Sequence, residues 1–223
     1  MSEQKNPVKK IIPSKLENSF QQFCYKHFGE LIPKGLTPNN VTALGAGFGG
    51  LAIICTLLTH ISPLFFIGTI AGLILHHTAD TLDGYVARKR GMSSKAGAYF
   101  DLITDVMFST FFLIAFGLSP YASIEVMAFT APLYGIVNVT AMNYIIYFNE
   151  FLFPKFGPIE AHLAYIGICI LSLCFGTNEL FALGHFRVMA ADVAMCIGLI
   201  LMYSEMIRMQ IQLFRRLKKE EDT

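Results

Sequence analysis

Asp80-Thr-Leu-Asp83-Gly84-Tyr-Val-Ala87-Arg88-Lys-Arg-Gly-Met-Ser-Ser-Lys-Ala-Gly97-Ala-Tyr-Phe-Asp101-Leu-Ile-Thr-Asp105 sets four carboxylates in two apolar runs, Pro63 to Val86 and Gly97 to Leu118. Each run reaches the roughly 20 residues that cross the hydrocarbon of a bilayer. Composition agrees with a membrane reading. Of 223 residues, 54% are hydrophobic and 15% charged, against about 45–50% and about 25% in soluble domains. Mean hydropathy is +0.52. A soluble globule and a disordered chain are both excluded, because 13% aromatic residues with so few charges cannot stay in water. The net charge of +1 points to no nucleic-acid partner.

Working outward, four more runs follow the same rule: Val41 to His60, Ser123 to Phe148, Glu160 to Phe175 and Arg187 to Ile207. Pro63, Pro120, Pro154, Gly157 and Pro158 mark the turns between them. The expected fold is an all-α integral membrane protein of six transmembrane helices. Ahead of them, Ser14 to Ile32 repeats Leu16, Phe20, Phe23, Cys24, His27, Phe28 and Leu31 at spacings of three and four. That pattern predicts an N-terminal interfacial amphipathic helix. The organisation is therefore a cytoplasmic segment over 1–36, a six-helix domain over 37–207 and a basic tail over 208–223.

Lys and Arg residues orient the spans, since short cytoplasmic loops retain them. Lys5, Lys9, Lys10, Lys15, Lys26, Lys34, Arg88, Lys89, Arg90, Lys95, Lys155, Arg208, Arg215, Arg216, Lys218 and Lys219 fall on one side, and Arg187 alone on the other. Both termini and the acids are then cytoplasmic. Nothing behind Met1 to Pro7 reads as a cleavable signal peptide. The five cysteines, Cys24, Cys55, Cys169, Cys174 and Cys196, read as small core hydrophobes.

An ionisable group in a span is costly unless it is paired or functional. Asp80 and Asp83 are three apart and Asp101 and Asp105 four apart, so each pair shares a helix face. Joined by a short loop, the two spans are expected to be antiparallel neighbours whose acids meet at one depth. Four facing carboxylates cannot all ionise without a cation between them. Hard oxygen donors suit Mg2+ or Mn2+, and two ions would neutralise the set and suit displacement at phosphorus. Proton sharing, or pairing with Arg88, Lys89 and Arg90, is the structural alternative. Gly84, Ala87 and Gly97 leave room beside the acids for a backbone or a flat ligand, and Arg88 offers donors to phosphate.

Asp80-x2-Asp83-Gly84-x2-Ala87-Arg88-x8-Gly97-x3-Asp101-x3-Asp105 resembles the complete signature of the CDP-alcohol phosphotransferase family, at all eight fixed positions. Thr37-Pro38-Asn39-Asn40-Val41-Thr42 resembles a second family segment. The resemblance implies an enzyme that releases CMP while moving a phospho-alcohol to an acceptor hydroxyl in phospholipid synthesis. It implies that Asp80, Asp83 and Asp101 hold two Mg2+ or Mn2+ ions and that Asp105, also near an ion, is the base. Asn39, Thr42, Gly84, Ala87, Arg88 and Gly97 are then the nucleotide contacts. A homodimer among membrane lipids is also implied.

Two directions fit the signature: CDP-choline or CDP-ethanolamine with diacylglycerol, which is preferred, or CDP-diacylglycerol with inositol, serine or glycerol phosphate. Gly157-Pro158-Ile159-Glu160 resembles a segment of the amino alcohol branch, whereas Leu102 stands where that branch has histidine. A divalent-cation or proton-coupled transporter is the reading from another class. Asn143 and Glu160, with His162 and Tyr144, lie at a depth that suits the acceptor or headgroup, and hydrogen bonding between helices is the equal alternative. His76 is expected to bond Asp80 one turn on, Asp192 to pair with Arg187, and Glu205 to reach the interface.

Overall fold

A computed structural model describes residues 9–11, 14–152, 154–184 and 186–222. Lys5 and the Met1 to Pro7 segment lie outside the described residues. In chain order the elements are β1 (Lys9–Ile11), α1 (Lys15–His27), α2 (Pro38–Leu58), α3 (Phe65–Lys89), α4 (Lys95–Gly117), α5 (Ile124–Phe148), β2 (Glu150–Leu152), α6 (Pro158–Phe175), β3 (Phe181–Leu183), β4 (Phe186–Val188) and α7 (Ala190–Glu221). β1 and β2 pair in parallel, and β3 with β4 forms a short hairpin. These strands are additions to the all-helical expectation.

Side chains close the helix ends where the sequence supplies oxygen acceptors. Ser14, Thr37 and Ser94 accept from the N–H of Glu17, Asn40 and Gly97 at the starts of α1, α2 and α4. Glu160 reaches back to the N–H of Gly157 at 2.7 Å at the start of α6. Asp192 takes the N–H of Met189 at 3.0 Å and that of Ser123 at 2.8 Å, so one carboxylate starts α7 and ties it to α5. The expected Asp192–Arg187 pair is therefore replaced by capping, and Arg187 lies in β4, 3.6 Å from Glu179.

The six long helices form a closed circuit in which α3 touches α2, α2 touches α4, then α5, α7 and α6 follow, and α6 returns to α3. Among the described residues, five helices are long and apolar enough to cross a membrane: α2, α4, α5, α6 and α7. α3 falls short on composition because its last turns carry His76, His77, Asp80, Asp83, Arg88 and Lys89. α7 continues as one helix to Glu221, into the residues expected to be the basic tail. Glu205, expected at the interface, is buried; it is bonded by Arg208 and by the N–H of Lys155 at 2.9 Å.

α2 packs against both α3 and α4, which do not pack along their own lengths as the short loop suggested. Small residues make this approach possible. A Cβ on Gly72 would lie 2.9 Å from the Phe48 carbonyl oxygen and 3.0 Å from the Ala52 nitrogen, both backbone atoms. Gly72→Val is accordingly expected to destabilise by about 1–3 kcal/mol through overpacking. Loss of helical ellipticity on heating in detergent would then come roughly 2–4 °C earlier per kcal/mol. An unchanged midpoint would mean that the α2–α3 contact is looser than described.

The apolar core fills the end of the circuit away from the acids, with Phe66, Phe112, Phe116, Met127, Ile168 and Met195 at its centre. α1 lies across the other end on α3 and α6. It is shorter than the Ser14 to Ile32 pattern and turns Glu17 and Cys24 inward, while Leu16 and Phe23 stay exposed. Burial, with Glu17 beside it, pushes the Cys24 thiol up to about 11, so it packs as a neutral group. Cys55 and Cys169 are buried too, but Cys174 and Cys196 are exposed rather than core.

Candidate active site

α3 and α4 bring carboxylate oxygens of Asp80, Asp101 and Asp105 within 4.8 Å of one another. Asp83 joins them around a small space walled also by Thr42, Gly45, His76 and Thr104. The Thr42 hydroxyl on α2 donates to Asp83 Oδ2 at 2.5 Å and fixes its carboxylate. Spacings of three and four give each helix one acidic face. Gly49 lets these faces converge, since a Cβ there would sit 2.7 Å from the Phe108 ring and 3.3 Å from His76 Nδ1.

The basic residues nearby serve other partners. Arg88 donates to the Tyr25 hydroxyl at 2.9 Å, Lys89 to Glu30, and Arg90 to the carbonyls of Ile32 and Leu36 at 3.0 and 2.6 Å. These bonds turn Arg88, Lys89 and Arg90 toward α1 and the segment after it. A dense set of hard oxygen donors is the chemistry that suits magnesium or manganese.

Histidines back the acids. His76 Nδ1 meets the Gly45 carbonyl at 2.9 Å in place of the expected bond to Asp80, because the α2 glycines admit its ring. Its Nε2 is 3.9 Å from Asp105 Oδ1. His77 stacks between Phe20 and His162 at ring distances of 4.8 and 4.4 Å, with Nδ1 3.9 Å from Asp80.

Two cavities meet at the acids. The first, about 220 Å³, is lined by Asn39, Thr42, Gly84, Ala87, Arg88 and Gly97, which are the six residues expected to contact nucleotide, and by Asp83 and Asp101. Its glycines leave space that side chains would fill: a Cβ on Gly84 would be 3.2 Å from Arg88, and one on Gly97 3.1 Å from Asn39 Oδ1. The second, about 410 Å³, has all four acids on its wall, with Glu17, Gln21 and Tyr25 from α1 and Tyr134 and Asn138 from α5. The Tyr134 hydroxyl is 3.5 Å from Asp105 Oδ2, and Asn138 bonds the Tyr134 carbonyl. Burial raises the Tyr25 phenol above its ordinary value, with Arg88 opposing, so it stays a neutral hydroxyl.

Sequence reasoning missed these five. Tyr134 and Asn138, four apart in an otherwise apolar run, carry a readable signal; the α1 residues pass for a water-facing side. Asn143 bonds the Val139 carbonyl and lines neither cavity. Glu160 accepts from Ser14 and Gly157 at the start of α6. It lines a third cavity of about 340 Å³, mostly apolar, between α5, α6 and α7. Tyr134 belongs to both this cavity and the acidic one. His162 Nδ1 meets the Pro158 carbonyl, and the Tyr144 hydroxyl that of Met209.

A family model described as CDP-alcohol phosphatidyltransferase matches residues 35–207. An uncharacterized CDP-alcohol phosphatidyltransferase class-I family protein of Schizosaccharomyces pombe is 26% identical over 165 residues, which cover 67% of this chain and 41% of that protein. The chain thus spans about two fifths of the length of the curated relative it matches.

Proposed function

Because the chain belongs to the CDP-alcohol phosphatidyltransferase family, whose members transfer phosphate-containing groups, we propose that it transfers a phospho-alcohol from a CDP-alcohol to a hydroxyl acceptor, releasing CMP. The observation that carries this reading is the convergence of Asp80, Asp101 and Asp105 beside a cleft lined by Asn39, Thr42, Gly84, Ala87, Arg88 and Gly97.

In this reading Asp80, Asp83 and Asp101 hold two divalent ions, with Asp105 at their edge. Bound Mg2+ or Mn2+ supplies charge neutralisation to a diphosphate at that point. Arg88 offers its guanidinium to phosphate oxygens. Asp105 takes the proton of the acceptor hydroxyl. The freed oxygen forms a bond to the phosphorus nearer the alcohol, the bond from that phosphorus to the CMP oxygen breaks, and CMP leaves with the electron pair. Asp105 later returns its proton to water.

The apolar cavity that shares Tyr134 with the acidic one supports a lipid partner whose chain reaches between α6 and α7. The preferred pair is CDP-choline or CDP-ethanolamine with diacylglycerol. α3 completes the circuit as the sixth span. The Lys and Arg distribution supports cytoplasmic termini and a cytoplasmic site, with α1 along that leaflet. The layout is then 1–36, 37–207 and 208–223, and the protein works as a homodimer. Unbroken helices through all four acids give the transporter reading no support.

The test is CMP release by purified protein in lipid with Mg2+. Each CDP-amino alcohol is offered with diacylglycerol, and CDP-diacylglycerol with inositol, serine and glycerol phosphate. CMP from one pair is expected. Silence in every pair sinks the transfer reading.

A further inference from the structure

The four acids and the nucleotide cleft perform chemistry that is the same for every alcohol, so discrimination among alcohols must come from other residues. α1 lies outside the matched segment 35–207, yet Glu17, Gln21 and Tyr25, each four residues on from the last, form one wall of the second cavity. Glu17 is 3% exposed. Its carboxylate accepts the Ile159 N–H at 3.0 Å and the Gln21 side-chain amide at 2.8 Å. Among the described residues it has no ion pair with Lys or Arg. A buried carboxylate kept without a cation is costly, and a cationic ligand would offset that cost.

Basic side chains are scarce in the cavity. Among the described residues Arg88 is the single Lys or Arg side chain on its wall, and its guanidinium is turned to the Tyr25 hydroxyl. An anionic alcohol such as a sugar phosphate or glycerol phosphate would need guanidinium or ammonium donors here. A cation needs carboxylate and neutral oxygen acceptors instead, and Glu17 and Gln21 carry both types, while the Tyr25 ring beside them is stacked on Tyr85 at 4.7 Å with the Arg88 guanidinium 5.9 Å from its centre.

We propose that α1 forms the alcohol compartment of the site, with Glu17, Gln21 and Tyr25 selecting a cationic amino alcohol over neutral and anionic ones. The inference rests on the transfer reaction proposed above. α1 is held for this task at two points: Ser14 bonds Glu160 while Glu17 bonds Ile159, pinning its first turn to the start of α6, and Phe20 packs on His77 of α3.

The experiment compares kcat/KM for CDP-ethanolamine and CDP-glycerol, a cationic and a neutral donor, with diacylglycerol and Mg2+ on the full chain in lipid. Wild type is expected to prefer CDP-ethanolamine. Glu17→Gln keeps an oxygen for the Ile159 N–H but removes the charge. It should lower kcat/KM for CDP-ethanolamine about tenfold, mostly through KM, and leave CDP-glycerol within about twofold. Gln21→Glu in the Glu17→Gln background returns a carboxylate to the same face and should restore the preference. Equal losses on both donors, or an unchanged ratio, overturn the inference because a packing role predicts just that. CMP release with inositol or glycerol phosphate, and none with an amino alcohol, overturns it while leaving transfer intact. Absence of CMP from every donor in wild type overturns the transfer reading, and the inference with it.

Discussion

Asp105→Asn is expected to lower CMP release by about 10³-fold or more, near the upper range for removal of a general base. Asparagine keeps the size of the side chain and an oxygen for the Tyr134 hydroxyl, which lies 3.5 Å from Asp105 Oδ2. It cannot accept the acceptor proton. Donor binding should change little, because Asp105 does not line the cleft of Asn39, Gly84 and Gly97. The measurement is a single-turnover assay beside equilibrium binding of the CDP-alcohol. Turnover within tenfold of wild type would remove Asp105 from the base role. Loss of binding in step with turnover would instead make it a ligand of the bound ions. The geometry favours the base: Asp80 and Asp105 line the second cavity but not the first, and of these two Asp105 is the one bonded by Tyr134, whereas Asp83 and Asp101 face both cavities.

The acidic cluster is readable in the sequence because two helical spacings and a short loop leave few ways to place four carboxylates. The residues proposed to meet nucleotide are legible by another route: Asn39 and Thr42, with Gly84, Ala87, Arg88 and Gly97, stand in two segments that resemble the family's, and the structure lines one cavity with all six. Packing order is not local. α2 stands between α3 and α4 because Gly45, Gly49 and Gly72 thin the contact, and chain adjacency carries no trace of that insertion. The distant partners of Asp192, Glu205 and His76, which are Ser123 just ahead of α5, Lys155 in the loop before α6 and Gly45 on α2, are equally non-local. α1 is the most instructive case. Its apolar spacing suggests a face laid on lipid, but three of its polar residues, Glu17, Gln21 and Tyr25, border a cavity. A polar stripe on an amphipathic helix is chemically the same whether it meets solvent or a polar ligand, so only the position of α3 and α6 beneath it decides.

Removal of divalent ions is expected to abolish CMP release altogether, with full recovery on adding Mg2+ or Mn2+. The argument is electrostatic. Asp80, Asp101 and Asp105 offer oxygens within 4.8 Å of one another, Asp83 lines the same small space, and Arg88, Lys89 and Arg90 bond elsewhere. Such a set repels an incoming diphosphate unless cations stand between them. A soft metal gains little from carboxylate oxygens, so Mg2+ or Mn2+ should restore turnover at lower concentration than metals that prefer thiolate or imidazole. Asp80→Asn should raise the Mg2+ concentration for half-maximal rate by about tenfold, since one charge-assisted ligand is lost. Asn39→Ala, on the nucleotide side alone, should raise KM for the donor and leave the Mg2+ dependence in place. Turnover that survives exhaustive chelation would mean that protons, not metals, neutralise the acids. Asp105 would then lack the ionised neighbours that make its proton transfer at the cavity wall favourable.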